Sequence, residues 1–316
     1  MTTFHNEGII AFIKVKIQVI EFNSDGKIMS HDNNKTVIVA SESPKLYTSK
    51  RLMTEALKLH YSSFWLNPYQ HLLNSTEILL IKDQQAFYFH RTTGIRYDDF
   101  DLLVSEHHQQ NGFIISNPLT ALEIFRDKAR QSLFFSRHKL PSIKTINYRG
   151  NLSEKQVETL SELSPNHKFI LKMIRGNQGI GVNLINGLPS LKSLLETFLA
   201  LKDQKFLIQP FIEHHKEWRI FIIKGEIVGI IERTLAQDDF RGNSKRSIGK
   251  FLKNLPIEIE FEIMRGVQLS GLDYCGVDIL SNEDGFFILE FNPVPGFEQL
   301  EELGGINIAK ELLIKI

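Results

Sequence analysis

Residues 168–185 carry a lysine-bearing strand into a loop with three glycines and straight back into a second strand: KFILKMI, then Arg175-Gly176-Asn177-Gln178-Gly179-Ile180-Gly181, then GVNLI. Glycine has no Cβ, so backbone N–H groups in such a loop can wrap an anion closely. Two common phosphate-binding patterns do not fit. No Gly-Lys-Ser/Thr follows, and the order G-x-x-G-x-G inverts the dinucleotide fingerprint and leads into a strand instead of a helix. Two readings remain: a β-hairpin whose tip cradles phosphate beside Lys172, or an ordinary glycine-rich turn with an incidental lysine.

The chain around this hairpin alternates helical and strand patterns, an α/β (α+β) arrangement. GIIAFIKVKIQVIEF alternates with period two and reads as a strand rather than a signal peptide, because Lys14 and Lys16 interrupt it. NSDGK then reads as a hairpin turn and HDNNK as a polar break, so residues 1–34 form a short β extension. TVIVA predicts a strand, KRLMTEALKL a helix, EILLI and AFYFH two strands about a KDQQ turn, and DLLV another strand. From Asn117 to Leu140 the spacing predicts one helix, opened by Pro118 in its first turn and closed by Pro141. After the glycine hairpin come a helix, SLKSLLETFLALK, and the strand KFLIQPFI. RIFII and EIVGIIE follow, joined by KGE, then a helix over Glu258–Leu269, the strands CGVDIL and FFILEF, and a terminal helix from Lys310 to Ile316. The expected domains are 1–34, 35–118, 119–208 and 209–316.

Two of the late strands carry acids. Asp278 in GVDIL and Glu290 in LEFNP stand twelve residues apart on strands joined by SNEDG, with Asn292 on the same face as Glu290. Oxygen groups buried so close together need a cation among them. Mg²⁺ takes such hard ligands and shares them with phosphates, with Mn²⁺ as a substitute; the alternative is neutralisation by arginines. Arginines are at hand: Arg219, Arg233, Arg241 and Arg246, with Lys245 and Asn243, cluster on the preceding block. A lone arginine in an apolar strand usually finds a carboxylate, while a group of them can stabilise a transferring phosphoryl group.

Composition excludes several classes. Lysine plus arginine and aspartate plus glutamate each total 37 of 316 residues, so no net charge recruits nucleic acid or a membrane surface. The one cysteine, Cys275, forms no internal disulfide and reads as a small buried hydrophobe; with no apolar run long enough to span a membrane, the expected compartment is the cytoplasm. The pairs His107-His108 and His214-His215 invite a metal reading, but adjacent strand residues point to opposite faces and make no natural two-ligand site, so both pairs read as exposed loop histidines. The 23 phenylalanines read as core.

The order lysine, glycine loop, hinge, basic hairpin, acid, acid-x-asparagine resembles the ATP-grasp superfamily, and most closely its RimK-type glutamate ligases. The strings that carry the likeness are RDKARQSLFFSRHKLP, LKMIRGNQGIGV, LIQPFI, EWRIFIIKGEIVGIIER, DDFRGN, CGVDIL and LEFNPVPGFE, with YTSKRL and NPYQHLL nearer the start. The resemblance implies an ATP-grasp fold behind a Rossmann-like pre-ATP-grasp domain. It implies that Lys128 and Lys172 hold ATP phosphates under the loop Gly176, Gln178, Gly179, Ile180 and Gly181. Gln209, Pro210, Phe211 and Ile212 become the adenine hinge, in which Pro210 replaces the usual acid, gives its carbonyl, and leaves the N–H to the next position. Glu217 becomes the ribose ligand and Arg219 a further nucleotide contact. Asp278, Glu290 and Asn292 match the Mg²⁺ ligands, and Arg233, Arg241, Asn243 and Arg246 the residues around the γ-phosphate and carboxylate. Lys245-Arg246-Ser247-Ile248 departs from the histidine-arginine-glycine pattern of the family, and Pro293 is an addition.

The implied activity is an ATP-dependent carboxylate–amine ligation through an acyl phosphate. It would join glutamate or a similar amino acid to an amine or carboxylate acceptor on a protein tail, peptide or metabolite, with a homo-oligomer compatible with the family. An ATP-grasp kinase and an ATP-binding regulatory protein without turnover are the alternatives.

Overall fold

The computed structural model describes residues 35–73, 85–96, 98–150, 152–176, 179–202, 205–214, 216–235, 248–283 and 285–316. The extension 1–34 and the EILLI strand lie outside these residues. The described chain divides into two units, one of residues 35–92, 98–119 and 307–316, the other of residues 93–96 and 120–306.

The first unit is a parallel sheet. β1 (Lys35–Ala40), β2 (Ser62–Leu66), β3 (Gln85–His90) and β4 (Ile114–Ser116) run in the order β2-β1-β3-β4. Val37 to Ala40 are all buried, which explains why β1 is a continuous apolar run instead of an alternating one. Parallel neighbours need crossovers, and α1 (Tyr47–Lys58) and α2 (Phe100–Gln110) supply them. DLLV therefore corrects from strand to helix: Asp101, Val104 and Ser105 are the buried residues of α2, a spacing of three and four. His107 and His108 fall in its last turn, half-buried on a helix and not exposed on a loop.

The C-terminal helix Ile308–Lys315 packs on α1 in this unit, burying Ile308, Ala309, Leu312 and Leu313. Asn307 caps it through Lys310 N–H (3.0 Å) and accepts from Arg51 (2.9 Å). Residues 307–316 group with this first unit.

The second unit opens with α3 (Leu119–Phe125) and α4 (Lys128–Arg137) where one helix was expected. Asp127 breaks it, because its carboxylate accepts from Ala129 N–H (2.9 Å) and Arg130 N–H (3.1 Å) and restarts the helix as an N-cap. Lys128 is thereby fixed at a helix start. β5 (Ile146–Tyr148), α5 (Glu154–Leu163), β6 (Lys168–Met173), β7 (Val182–Asn186), α6 (Leu188–Lys202) and β8 (Phe206–Pro210) follow. The strands pair antiparallel as β5-β8-β6-β7. Phe169, Leu171, Phe206 and Ile208 pack against Leu160, Leu191 and Leu195 of the two helices. Alternation turns Ile170, Lys172, Leu207 and Gln209 to the opposite face.

β9 (Lys216–Ile223), β10 (Glu226–Thr234), β11 (Ile248–Leu252), α7 (Ile257–Ser270), β12 (Tyr274–Asn282), β13 (Gly285–Asn292) and α8 (Glu298–Gly304) complete the unit. This five-stranded antiparallel sheet has the order β11-β10-β9-β12-β13. One face buries Ile220, Ile222, Val277, Ile279 and Phe291 against Ile259, Ile263 and Val267 of α7. Each such side chain contributes about 1.5–3 kcal/mol by leaving water, and together they fix which residues the sheet shows on its other face.

Candidate active site

On β9, Ile220 and Ile222 go to the core, so Glu217 and Arg219 go to the other face. Register then assembles the polar residues. Arg219 lies opposite Asp278, Asp278 opposite Glu290, and Asn292 opposite Gly276 one step along; Arg233 lies opposite Glu217. The acids expected at equivalent strand ends are direct cross-strand partners.

Arg219 grips Asp278 with two prongs, Nε to Oδ1 and Nη2 to Oδ2. Burial opposes the charge of Arg219, yet Asp278 outweighs it and raises the guanidinium pKa. Glu290 accepts from Lys128 Nζ at 3.3 Å, and the same ammonium donates to Gly176 O at 3.1 Å. Both acids are thus met by cations, the ion-pair alternative to a bound metal.

Among the described residues no group of three or more His, Cys, Asp or Glu is assembled to hold a metal. Asn292 spends Oδ1 on Val294 N–H (2.9 Å), which shapes the turn after β13. Two facing carboxylates nevertheless suit Mg²⁺, which binds through one or two carboxylates and takes its remaining ligands from waters and phosphates. The donor chemistry fits once Lys128 yields Glu290.

The cations crowd one another. Burial and then Lys128 push the Lys172 pKa down against the pull of Glu290, Glu217 and Asp278. Burial and then Arg219 bring Arg233 down to about 10, although Asp278 and Glu217 raise it. Arg233 Nε donates to Gln299 Oε1 of α8 at 3.3 Å. Lys128 also opposes the dipole at the start of α4. A polyanion would relieve all of these strains at once.

The glycine loop is a hairpin tip, with Met173 N–H bonded to Gly181 O (3.0 Å) and Val182 N–H to Gly179 O (3.3 Å). Gly179 and Gly181 have φ of 74° and 77°, and a Cβ on Gly181 would stand 2.8 Å from Met173 Sδ. Ile180 at the tip is 63 % exposed. Gln178, Arg241, Asn243, Lys245 and Arg246 lie outside the described residues.

In the hinge, Phe211 N–H donates to Lys168 O at 2.9 Å, so the donor expected to meet adenine is already committed to the sheet. His214 corrects from exposed loop to buried brace: one ring nitrogen lies 2.8 Å from Ile212 O and the other 3.1 Å from Glu217 Oε1. Its spacing of three from Glu217 was the available signal. Gln131 was missed altogether. Its Oε1 accepts from Phe291 N–H (2.6 Å) and its Nε2 donates to Phe291 O (3.3 Å), between Glu290 and Asn292. It stands three residues after Lys128, one helical turn along the same face.

Solved structures share this architecture. A RimK domain ATP-grasp protein from Sphaerobacter thermophilus superposes with TM-score 0.70 at 14% identity, covering 89% of this chain and 99% of that one. The ATP-grasp ligase PsnB, complexed with a phosphomimetic variant of its minimal precursor, Mg and ADP, gives 0.66 at 15% identity over 90% and 97%. The class is therefore the ATP-grasp fold. A probable alpha-L-glutamate ligase of a Picosynechococcus strain is 27% identical over 291 residues, 88% of this chain and 93% of the relative. The family model of the RimK-like ATP-grasp domain matches residues 125–316, and the chain belongs to that family, within the ATP-grasp carboxylate–amine ligases.

Proposed function

We propose that this protein is an ATP-dependent ligase that joins the carboxylate of one substrate to the amine of another through an acyl phosphate, with glutamate or a similar amino acid as one of the two. The observation that carries this reading is the row Arg219, Asp278, Glu290 on one sheet face, with Lys128 bonded to Glu290 and Lys172 in its field. A carboxylate is too poor an electrophile for an amine, and phosphorylation supplies the leaving group.

Lys128 and Lys172 neutralise the phosphates, and the hairpin tip Gly176–Gly181 covers them and excludes water from the acyl phosphate. Glu217 takes the ribose hydroxyls, while Pro210 O and the backbone at Ile212 meet the adenine. Asp278, Glu290 and Asn292 would hold Mg²⁺ or Mn²⁺, which when bound would neutralise phosphate charge. Arg233, with Arg241, Asn243 and Arg246, stabilises the phosphoryl group in transfer and orients the carboxylate. The altered Lys245–Ile248 segment is where substrate choice departs from the glutamate ligases, and the acceptor is a peptide, protein tail or small amine.

The test is an ATP-consumption screen over amino acids, alone and with candidate acceptors, read by mass spectrometry of the products. An amide product with free phosphate is expected, and Glu290→Ala should lower the rate by about 10²-fold or more. A phosphorylated hydroxyl would make the protein a kinase, and full activity in Glu290→Ala would remove the metal assignment.

A further inference from the structure

The face of the five-stranded sheet that carries Glu217, Arg219 and Asp278 is also the bed of a short helix. Arg233 pairs with Glu217 on one side and with Gly249 on the other, and Gly229 pairs with Phe221, two residues along from Arg219, so all of them share that face. A Cβ on Gly229 would stand 2.7 Å from Leu300 Cδ2, and one on Gly249 would stand 2.5 Å from Gln299 Nε2. Neither glycine has a left-handed backbone, so what each supplies is room for α8. Gly249 stands directly opposite Arg233, and the space over it is where α8 lowers Gln299 to the arginine.

Gln299 Oε1 accepts from Arg233 Nε at 3.3 Å. An Nε–H only donates, so the atom facing it is the amide oxygen, and Nε2 lies over Gly249. The guanidinium is rigid and planar, and a bond at Nε sets the direction in which its Nη pair points. After burial, the groups that act on the protonation of Arg233 are Arg219, Asp278 and Glu217, so its guanidinium lies in the field of the site. The neighbouring arginine is held differently, since Arg219 meets both oxygens of a carboxylate, Asp278. A carboxylate offsets the charge that it orients. An amide gives Arg233 a direction and adds no counter-charge.

We infer that Gln299, admitted by Gly249, is a positioning residue that aims the Arg233 guanidinium at the γ-phosphate of the nucleotide and leaves its charge in place. The inference rests on the nucleotide site proposed above and goes beyond it by giving a role to a residue of α8 that acts only through Arg233. A phosphoryl group in transfer spreads its charge over three oxygens, and a guanidinium meets two of them at once only when its fork lies in the right plane. Held at Nε, Arg233 has that plane before the nucleotide arrives, so its side chain has less freedom to lose on binding.

The test titrates the full chain by calorimetry, in Mg²⁺, with ADP and with AMPPNP, which adds a γ-phosphate. Gln299→Met, similar in volume and without an acceptor, should lower the ratio of AMPPNP to ADP affinity by about fivefold with ADP affinity unchanged. Gly249→Ala, which displaces Gln299 without altering it, should lower the ratio in the same direction. Gln299→Glu keeps the acceptor but pairs its charge with Arg233 and repels phosphate, so it should lower the ratio by about tenfold or more. Arg233→Met should lower it too, and Gln299→Met added to that variant should change nothing further, because the two residues act as one unit. A lowered ratio in Arg233→Met with an unchanged one in Gln299→Met would overturn the inference alone, as would equal losses of ADP and AMPPNP affinity in Gln299→Met or wild-type behaviour of Gln299→Glu. An unchanged ratio in Arg233→Met would bring down the phosphate role of Arg233 and the inference with it, and failure of wild type to bind either nucleotide would bring down the site as a whole.

Discussion

Gln131 serves β13 as a further strand would. β13 ends its sheet among the described residues, and a sheet edge leaves backbone groups without partners. Gln131 meets both the N–H and the C=O of Phe291, and Pro141 O takes Ile288 N–H at 2.7 Å. The strand that carries Glu290 and Asn292 is thereby fixed from its open side. Gln131→Leu, which leaves both groups of Phe291 unmet, should cost about 1–3 kcal/mol and weaken divalent-cation-dependent ADP binding. Loss of stability with unchanged cation dependence would reduce Gln131 to a packing residue.

His214 makes a claim about pH. Burial works against its charge, but the hydrogen bonds to Glu217 and Ile212 O and the Glu217 charge prevail over burial and Lys172, raising its pKa above the ordinary 6.5. A raised folded value means the stabilisation is fully present below the unfolded pKa and disappears as pH rises through the folded one. Wild type should therefore lose melting temperature as pH climbs past 6.5, and His214→Gln should flatten that decline. Parallel pH profiles for the two proteins would defeat this account.

Among the elements, those with strong period were legible. The apolar run of β1, the alternation of β9 and the repeat of α7 report burial, and burial follows from the residues themselves. What stayed hidden depended on partners distant in sequence. Nothing local in DLLV says that Asp101, Val104 and Ser105 share a buried face, and the break at Asp127 is a competition between capping and continuing that only the folded surroundings decide. The site divides similarly. Residue types and order pointed to Lys172, Asp278 and Glu290, and the family resemblance alone to Lys128, but only register pairs Asp278 with Arg219. Close approach is equally a matter of register: a Cβ on Gly276 would stand 2.9 Å from Pro295 Cβ and 3.2 Å from Arg219 Cδ. Gly276→Ala should cost about 1–3 kcal/mol through this overlap, and it should lower turnover by displacing Arg219. A variant as stable and active as wild type would show that the turn after β13 yields freely.

At the scale of the whole molecule, the first unit is discontinuous: its sheet comes from residues 35–119 and its closing helix from residues 307–316. Long-range closure of this kind is entropically dear only in the logarithm of the intervening length, so a short helix with a good apolar face is enough to hold it. Ile308, Ala309 and Leu312 are fully buried, and Arg51 ties the Asn307 cap to α1. Leu312→Ala removes the centre of that face and should cost about 2–5 kcal/mol. The loss should be read by hydrogen exchange in α1 and β1, the elements that the helix and its neighbours cover. If amides in α1 and β1 exchange as slowly in Leu312→Ala as in wild type, the C-terminal helix rests on the unit without holding it closed.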